Sequence, residues 1–287
     1  MKEIDFTACP RVPGRAYNGA NGKKIAVTFE GAVWMLKFPP SAADKPNDLS
    51  YSNSCISEHL GSTVFRLLGV PAQETRLGTH VNGRRKVVCA CRDFTAPGVR
   101  FYDFCSIKNT VIDSETGGHG TELSDVLTTI DLQQFVDPVV VRRRFWDMFV
   151  VDALLGNFDR HNGNWGFLVD ERTGRAELAP VFDCGSCLLP QADERIMRLM
   201  LANEDELNAR IYTFPGSMLK MGGRKINYRD FIAARSESGL VEALARLLPR
   251  IRALDFAALL DETPYVTNLQ RTFLATYLAA RRDRIFA

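Results

Sequence analysis

The chain has 287 residues, 46% of them hydrophobic and 24% charged, and 36 Lys+Arg against 34 Asp+Glu give a formal charge of +2. These are globular values that exclude disordered, collagen-like and coiled-coil chains, and the near-neutral balance excludes direct nucleic-acid binding through bulk positive charge. The length suits roughly two domains of ~150 residues, or one two-lobed catalytic domain.

No basic run exceeds Arg142, Arg143 and Arg144, so no polybasic membrane anchor is expected. The most apolar stretch, Phe145 to Leu155, carries Asp147 and Asp152 and is too short to span a bilayer. The opening MKEIDFTACP lacks an apolar signal segment, and a cytoplasmic protein is expected; secretion machineries that need no signal would leave no readable trace. Cys9, Cys55, Cys89, Cys91, Cys105, Cys184 and Cys187 are too few and too scattered for a disulfide scaffold. Cys184 and Cys187 form the one C-x-x-C pair, but structural zinc needs four ligands, so buried free thiols are the better reading.

In chain order, Lys24–Glu30 and Ala32–Phe38 read as two strands around a Gly31 turn. Pro39 to Ser52 reads as loop. Asn53 to Leu68 reads as a helix, with Ile56, Leu60, Val64 and Leu67 or Leu68 at helical spacing and Gly69 at its end. Strands are expected at Gln73–His80 and Lys86–Arg92, joined by Val81-Asn82-Gly83-Arg84. Residues 98–122, rich in Gly, Ser, Thr and Asp, read as irregular. Asp137-Pro138 is a strong helix start, and Thr263-Pro264 is read as opening a second helix with Leu269, Phe273, Tyr277 and Leu278 on one face. The expectation is a two-lobed α+β fold: a small β-rich lobe over residues 1–92 and a larger helical lobe over 93–287.

The chemistry concentrates in Asn157-Phe158-Asp159-Arg160-His161-Asn162-Gly163-Asn164-Trp165-Gly166, between a helix and an apolar strand-like run. Kinase-type phosphoryl transfer needs an Asp facing the attacking hydroxyl and, five residues on, an Asn that ligates Mg²⁺; Asp159 and Asn164 have that spacing. Nineteen residues after Asn164 comes Val181-Phe182-Asp183-Cys184-Gly185, which supplies a second oxygen ligand. Either segment alone also fits a salt-bridged turn or a loop cap. Lys37 alternates with Met35 and Val33, which turns it inward, where it needs a negative partner; Glu58 is the natural candidate. Upstream, the Gly/Asn loop through Gly19, Ala20, Asn21, Gly22 and Lys23 offers backbone N–H groups to phosphates, although Asn-Gly also marks an ordinary turn. The order is Gly loop, strand lysine, helix glutamate, hinge near Cys89–Phe94, then Asp159, Asn164 and Asp183. It is not the eukaryotic signature, since the His follows the catalytic Asp as Asp-Arg-His.

The string Asp159 to Asn164, with Ala179 to Gly185 downstream, resembles the HipA-type serine/threonine kinases of bacteria. Met35-Leu36-Lys37-Phe38-Pro39, Ser57-Glu58-His59 and Leu67-Leu68-Gly69-Val70 extend the likeness from about residue 17 to 190. The loop string is also shared with phosphoinositide lipid kinases, whose fold the family resembles. In length the chain is nearest the short members, the cell-translocating kinase A and HipT types, which lack an extra N-terminal subdomain; an antitoxin or regulatory contact would then be made by a separate protein or not at all.

The resemblance implies ATP and Mg²⁺ as cofactors and a protein Ser/Thr as acceptor, with autophosphorylation. Lys37 would bind the α/β-phosphates and Glu58 orient it. Asp159 would be catalytic, Asn164 and Asp183 the metal ligands, and His161 would order the loop. Cys89, Cys91 and Asp93 would belong to the adenine-contacting hinge. Residues 18–24 contain no hydroxyl, so the Gly-loop serine that many members autophosphorylate is missing. Two rivals stand beside this: a phosphoinositide-type lipid kinase, and a nucleotide-binding pseudokinase scaffold. Elsewhere, His59 reads as a packing or helix-surface residue and His119 as part of a solvated loop. Arg142 to Arg144 read as a solvated face, or as a grip on an anionic protein substrate.

Overall fold

In a computed structural model, the structure describes residues 3–17, 23–40, 53–112 and 117–287. The predicted Gly-loop residues Gly19, Ala20, Asn21 and Gly22 lie outside them.

Strands β1 (Lys24–Phe29), β2 (Ala32–Lys37), β3 (Thr75–Asn82) and β4 (Arg84–Arg92) form an antiparallel sheet ordered β1-β2-β4-β3. The β3–β4 hairpin is tighter than expected, with Gly83 alone between paired Asn82 and Arg84. Strand alternation sends Trp34, Leu36, Val88 and Ala90 to one face, where they pack with Phe6, Ile25, Val27 and Phe38. The other face carries Met35, Leu77, Cys89 and Cys91 against Cys55 and Ile56 of helix α1 (Ser54–Leu67). Lys37 shares this second face, in register with Cys89. Helix α1 also buries Leu60, Val64 and Phe65 in the large C-terminal core, so one helix serves both lobes.

The segment read as irregular is largely ordered. Strand β5 (Val99–Asp103) pairs with β6 (Gly166–Asp170), which pairs with β7 (Ala176–Leu178). Helix α2 (Phe104–Val111) starts at once, its N-cap Asp103 accepting the Ser106 N–H at 2.7 Å. Helix α3 (Leu123–Leu132) follows. Polar composition hid these elements because they take their order from pairing with β6 and from the core beneath.

Helix α4 (Pro138–Leu155) is the central element of the larger lobe, capped by Asp137 as expected and ending at Gly156 in the left-handed conformation. Helices α5 (Glu194–Ala202), α6 (Glu204–Tyr212), α7 (Tyr228–Ala234), α8 (Ser238–Ala253), α9 (Phe256–Glu262) and α10 (Asn268–Ile285) surround it, with a small hairpin of β8 (Lys220–Met221) and β9 (Arg224–Lys225). Thr263-Pro264 does not open α10. Thr263 terminates α9, and Thr267 caps α10 in a capping box with Gln270. The reciprocal box satisfies two donors at once, where Pro264 would merely do without one. Phe273, Tyr277 and Leu278 are buried on the expected face.

Candidate active site

The inward lysine has two acidic partners. Lys37 Nζ lies 2.8 Å from Glu58 Oε2 and 2.8 Å from Asp183 Oδ1, so strand β2, helix α1 and the segment after β7 meet at one cation. Burial alone would push the Lys37 ammonium toward neutrality, but the two carboxylates outweigh it and hold its pKa well above the ordinary lysine value. Glu58 is buried, and its Oε1 has no hydrogen-bond partner among the described residues. Burial opposes ionisation of Asp183 too, yet Lys37 holds that carboxyl at about 2. Asp183 sits at φ +57°, a left-handed conformation that a non-glycine residue adopts at a cost. Gly185 permits the approach, since a Cβ there would lie 3.2 Å from Glu58 Oε2. Lys24 pairs in register with Lys37, and burial first and then the Lys37 charge lower its pKa.

The segment holding Asp183 is tied to the smaller lobe by main-chain bonds: Gln73 N–H donates to Val181 O at 2.8 Å, and Val181 N–H to Pro71 O at 2.9 Å. Phe182 packs with Phe94 and Phe101 at ring-centroid distances of 5.5 and 5.4 Å, joining the hinge to the acidic segment.

The Asp159 loop hangs from a buried polar knot. Asp152, in α4, accepts from Asn157 Nδ2 (2.8 Å) and Arg160 Nε (2.9 Å). Arg160 also donates to Asn164 O at 3.0 Å, to Phe182 O and to Cys184 Sγ, joining the loop to the Asp183 segment. Asn157 Oδ1 accepts the Asp159 N–H, and Tyr228 donates to Asn157 O at 2.6 Å. His161 Nδ1 accepts the Gly163 N–H at 3.0 Å and caps the 3₁₀ turn Asn162–Asn164. Asn164 Nδ2 donates to Asp159 O at 2.9 Å, which leaves its amide oxygen as the end available to a cation.

The Asp159 carboxylate accepts no hydrogen bond from any described residue. Burial first, and the Asp183 charge against the pull of His161, raise its pKa above the ordinary carboxylate value. Asp159, Asn164 and Asp183 thus present oxygen donors of the type Mg²⁺ prefers.

Other expected residues are placed differently. The Cys89 and Cys91 side chains are fully buried between sheet and α1 rather than facing open space. Cys184 and Cys187 are buried free thiols beneath α1. Asp93 is instead an anchor: Arg15 Nε donates to it at 2.8 Å, Tyr17 Oη at 2.7 Å and Thr95 Oγ1 at 2.7 Å. Burial and the Asp93 charge push the Tyr17 hydroxyl up to about 12. The chain entering the Gly/Asn loop is thereby pinned to the hinge. Lys23 lies over the Phe38 ring at 5.9 Å. His59 bonds Thr75 Oγ1 at 2.9 Å, and burial lowers its pKa to about 4, so it is a neutral packing residue. Sequence alone does not single out Asp152, Asn157 and Arg160 as positioning residues; an Asp inside the apolar part of α4, followed eight residues later by an Arg, is the available signal.

A lysine bridging a helix glutamate and a loop aspartate, with a second aspartate on a pre-shaped loop, is the arrangement of a phosphotransferase. The comparisons agree. The HipA-like C-terminal domain model matches residues 16–253. The chain is 46% identical over 286 residues to the serine/threonine-protein kinase CtkA of Helicobacter pylori strain J99, covering 99% of this chain and 87% of that protein. A crystal structure of the Helicobacter pylori proinflammatory kinase CtkA matches with a TM-score of 0.92 and 45% identity, over 99% of this chain and 95% of that one. HipA of Shewanella oneidensis, solved with HipB and operator DNA, shares the fold at a TM-score of 0.52 and 14% identity, over 96% of this chain and 67% of that one. The protein is therefore a serine/threonine-protein kinase. It belongs to the HipA-like C-terminal domain family.

Proposed function

We propose that the chain transfers the γ-phosphoryl group of ATP to a Ser or Thr hydroxyl of a protein, with Mg²⁺. The observation that carries this reading is Lys37 held at 2.8 Å from both Glu58 and Asp183, together with an Asp159 carboxylate that accepts no hydrogen bond from any described residue. Asn164 and Asp183 would hold the Mg²⁺, which when bound neutralises phosphate charge. Lys37, fixed by Glu58, presents its ammonium to the α- and β-phosphates. Asp159 faces the acceptor: it accepts a hydrogen bond from the Ser or Thr hydroxyl and orients the oxygen toward the γ-phosphorus. As the new O–P bond forms and the bond to ADP breaks, Asp159 takes the hydroxyl proton. Its raised pKa suits it to that transfer. Most of the catalysis is positioning and electrostatics, which the buried knot under the loop supplies.

A pseudokinase would have no need to keep Lys37, Asp159, Asn164 and Asp183 together, and the protein-kinase relative favours a protein acceptor over an inositol lipid. The test is incubation with γ-labelled ATP and Mg²⁺, followed by phosphosite mapping. Wild type is expected to label Ser or Thr on itself or on added protein, and Asp159→Asn to label neither while keeping the wild-type melting temperature. Equal labelling by the variant would remove Asp159 from the reaction.

A further inference from the structure

A six-residue stretch beside the active site carries three cations and no acid. Lys220, Met221, Gly222, Gly223, Arg224 and Lys225 form the β8–β9 hairpin, and all six are exposed. Among the described residues none of Lys220, Arg224 and Lys225 makes an ion pair. In a chain whose formal charge is only +2, this is a strong local concentration.

The hairpin is not a loose excursion. Lys220 N–H donates to Thr121 O at 2.8 Å, and Thr121 Oγ1 donates to Met218 O at 2.7 Å. The Glu122 carboxylate accepts the N–H groups of Gly222 and Gly223 at the turn, so that acid is spent on the backbone. Ser217, Leu219 and Ile226 at its base are buried. The same 118–122 stretch is fastened to the active-site loop, because Asn162 Nδ2 donates to Gly118 O and to Gly120 O, both at 2.8 Å. A Cβ at Gly118 would come within 2.1 Å of Cys105 O, which fixes how closely this stretch must lie. Catalytic loop, connecting stretch and basic hairpin therefore form one positioned unit. On the chain side of Asp159, Phe158 packs on the exposed Phe214 at a ring distance of 5.5 Å, an apolar step at the same mouth.

We propose that the β8–β9 hairpin is a substrate-specificity element, on which Lys220, Arg224 and Lys225 bind acidic residues flanking the acceptor Ser or Thr. The inference rests on the protein-kinase reading above and adds the acceptor's charge. Positive groups fixed beside the transfer site attract a carboxylate-bearing segment and repel a basic one, so they select by charge and speed encounter. The cost is low because the cations are already solvated and need no burial to act.

The test is a positional-scanning peptide array with a fixed Ser/Thr acceptor, given wild type and a K220E/R224E/K225E variant. The variant should fold, since every changed side chain is exposed; an unchanged melting temperature and an unchanged KM for ATP check that. Wild type is expected to favour Asp or Glu near the acceptor by about tenfold in kcat/KM, with the preference weakening as salt rises. The variant is expected to lose that preference or turn it toward Lys and Arg. Peptide labelling with no charge preference in wild type, or one the variant keeps, overturns the hairpin's role and leaves the kinase reading standing. A raised KM for ATP in the variant also overturns it, by assigning the cations to the nucleotide. No transfer by wild type to any peptide or to itself would overturn both.

Discussion

The molecule holds two ionic clusters about one catalytic loop, and they are built on opposite plans. Around Lys37, one ammonium bridges two carboxylates, Glu58 Oε1 has no partner among the described residues, Asp183 is in a left-handed conformation, and 39% of its side chain is exposed. Around Arg160, one cation meets one carboxylate, both Asp152 oxygens are bonded, and the guanidinium is satisfied by Asp152, two backbone carbonyls and a thiol. The first cluster keeps spare lone pairs, as a site that must receive a cation and phosphates requires. The second is neutral and saturated, as a support must be. Frustration sits where chemistry happens, and the structure that tolerates it lies directly beneath.

That contrast predicts opposite outcomes for the two arginine- and lysine-centred clusters. Arg160→Ala leaves Asp152 buried beside Asn157 with its charge uncompensated, so the expected loss is about 3–5 kcal/mol of folding stability, read by urea denaturation. A loss under about 1 kcal/mol would show that the knot is not what supports the loop. Asp183→Asn should do the reverse. It removes a strained, partly exposed carboxylate, so stability should move by no more than about 1 kcal/mol, while phosphotransfer falls by about 10²–10³-fold or more. Comparable denaturation midpoints with comparable activities would erase the distinction between the clusters.

The two clusters also differed in how far the sequence disclosed them. Lys37 was legible because alternation in a six-residue strand fixes which face a side chain takes, and an inward ammonium demands an acid. Asp159 and Asn164 were legible because they lie on one short loop, where spacing nearly determines geometry. The Arg160 knot joins α4, the loop and the Phe182 segment, and the Phe94, Phe101 and Phe182 rings meet from three separate stretches. No local pattern encodes such meetings. Residues 99–111 were misread because composition reports solvent preference, while β5 is ordered by its partner strand. The start of α10 was misread despite a visible Thr-x-x-Gln box at Thr267, because Thr263-Pro264 offered a competing start four residues earlier. The placement of Asp93 as a hinge anchor depends on Arg15 and Tyr17, some 76–78 residues away.

Acid titration sharpens the comparison on a smaller scale. The Asp183 carboxyl is held at about 2 in the folded protein against 3.8 for an ordinary aspartate, so the Lys37 pair stabilises the fold above pH ~4. That contribution should fade as pH falls from about 4 through 2, because protonation first becomes possible in the unfolded chain. With more than a third of the side chain exposed, solvent screening limits it to about 1 kcal/mol. Denaturation of wild type at pH 5 and pH 2.5 should therefore show a larger acid loss than Asp183→Asn shows. Equal losses would mean that Lys37 does not bias Asp183 in solution.

The smallest effect expected belongs to His161, which touches the loop rather than any reacting atom. Its Nδ1 accepts the Gly163 N–H at 3.0 Å, and its own N–H donates to Asp159 O at 2.9 Å, so only the side-chain bond is lost in His161→Ala. A lost cap of this kind costs about 1 kcal/mol, and if it is spent on loop order it appears as a kcat lower by about fivefold with an unchanged KM for ATP. His161→Asn restores a short acceptor at the same distance from the backbone and should recover most of the rate. A merely structural loss would lower the melting temperature of both variants without that recovery. If both variants instead lost activity by 10²-fold or more, His161 would be acting on substrate directly, and the division between a chemical cluster and its support would have to be redrawn to include it.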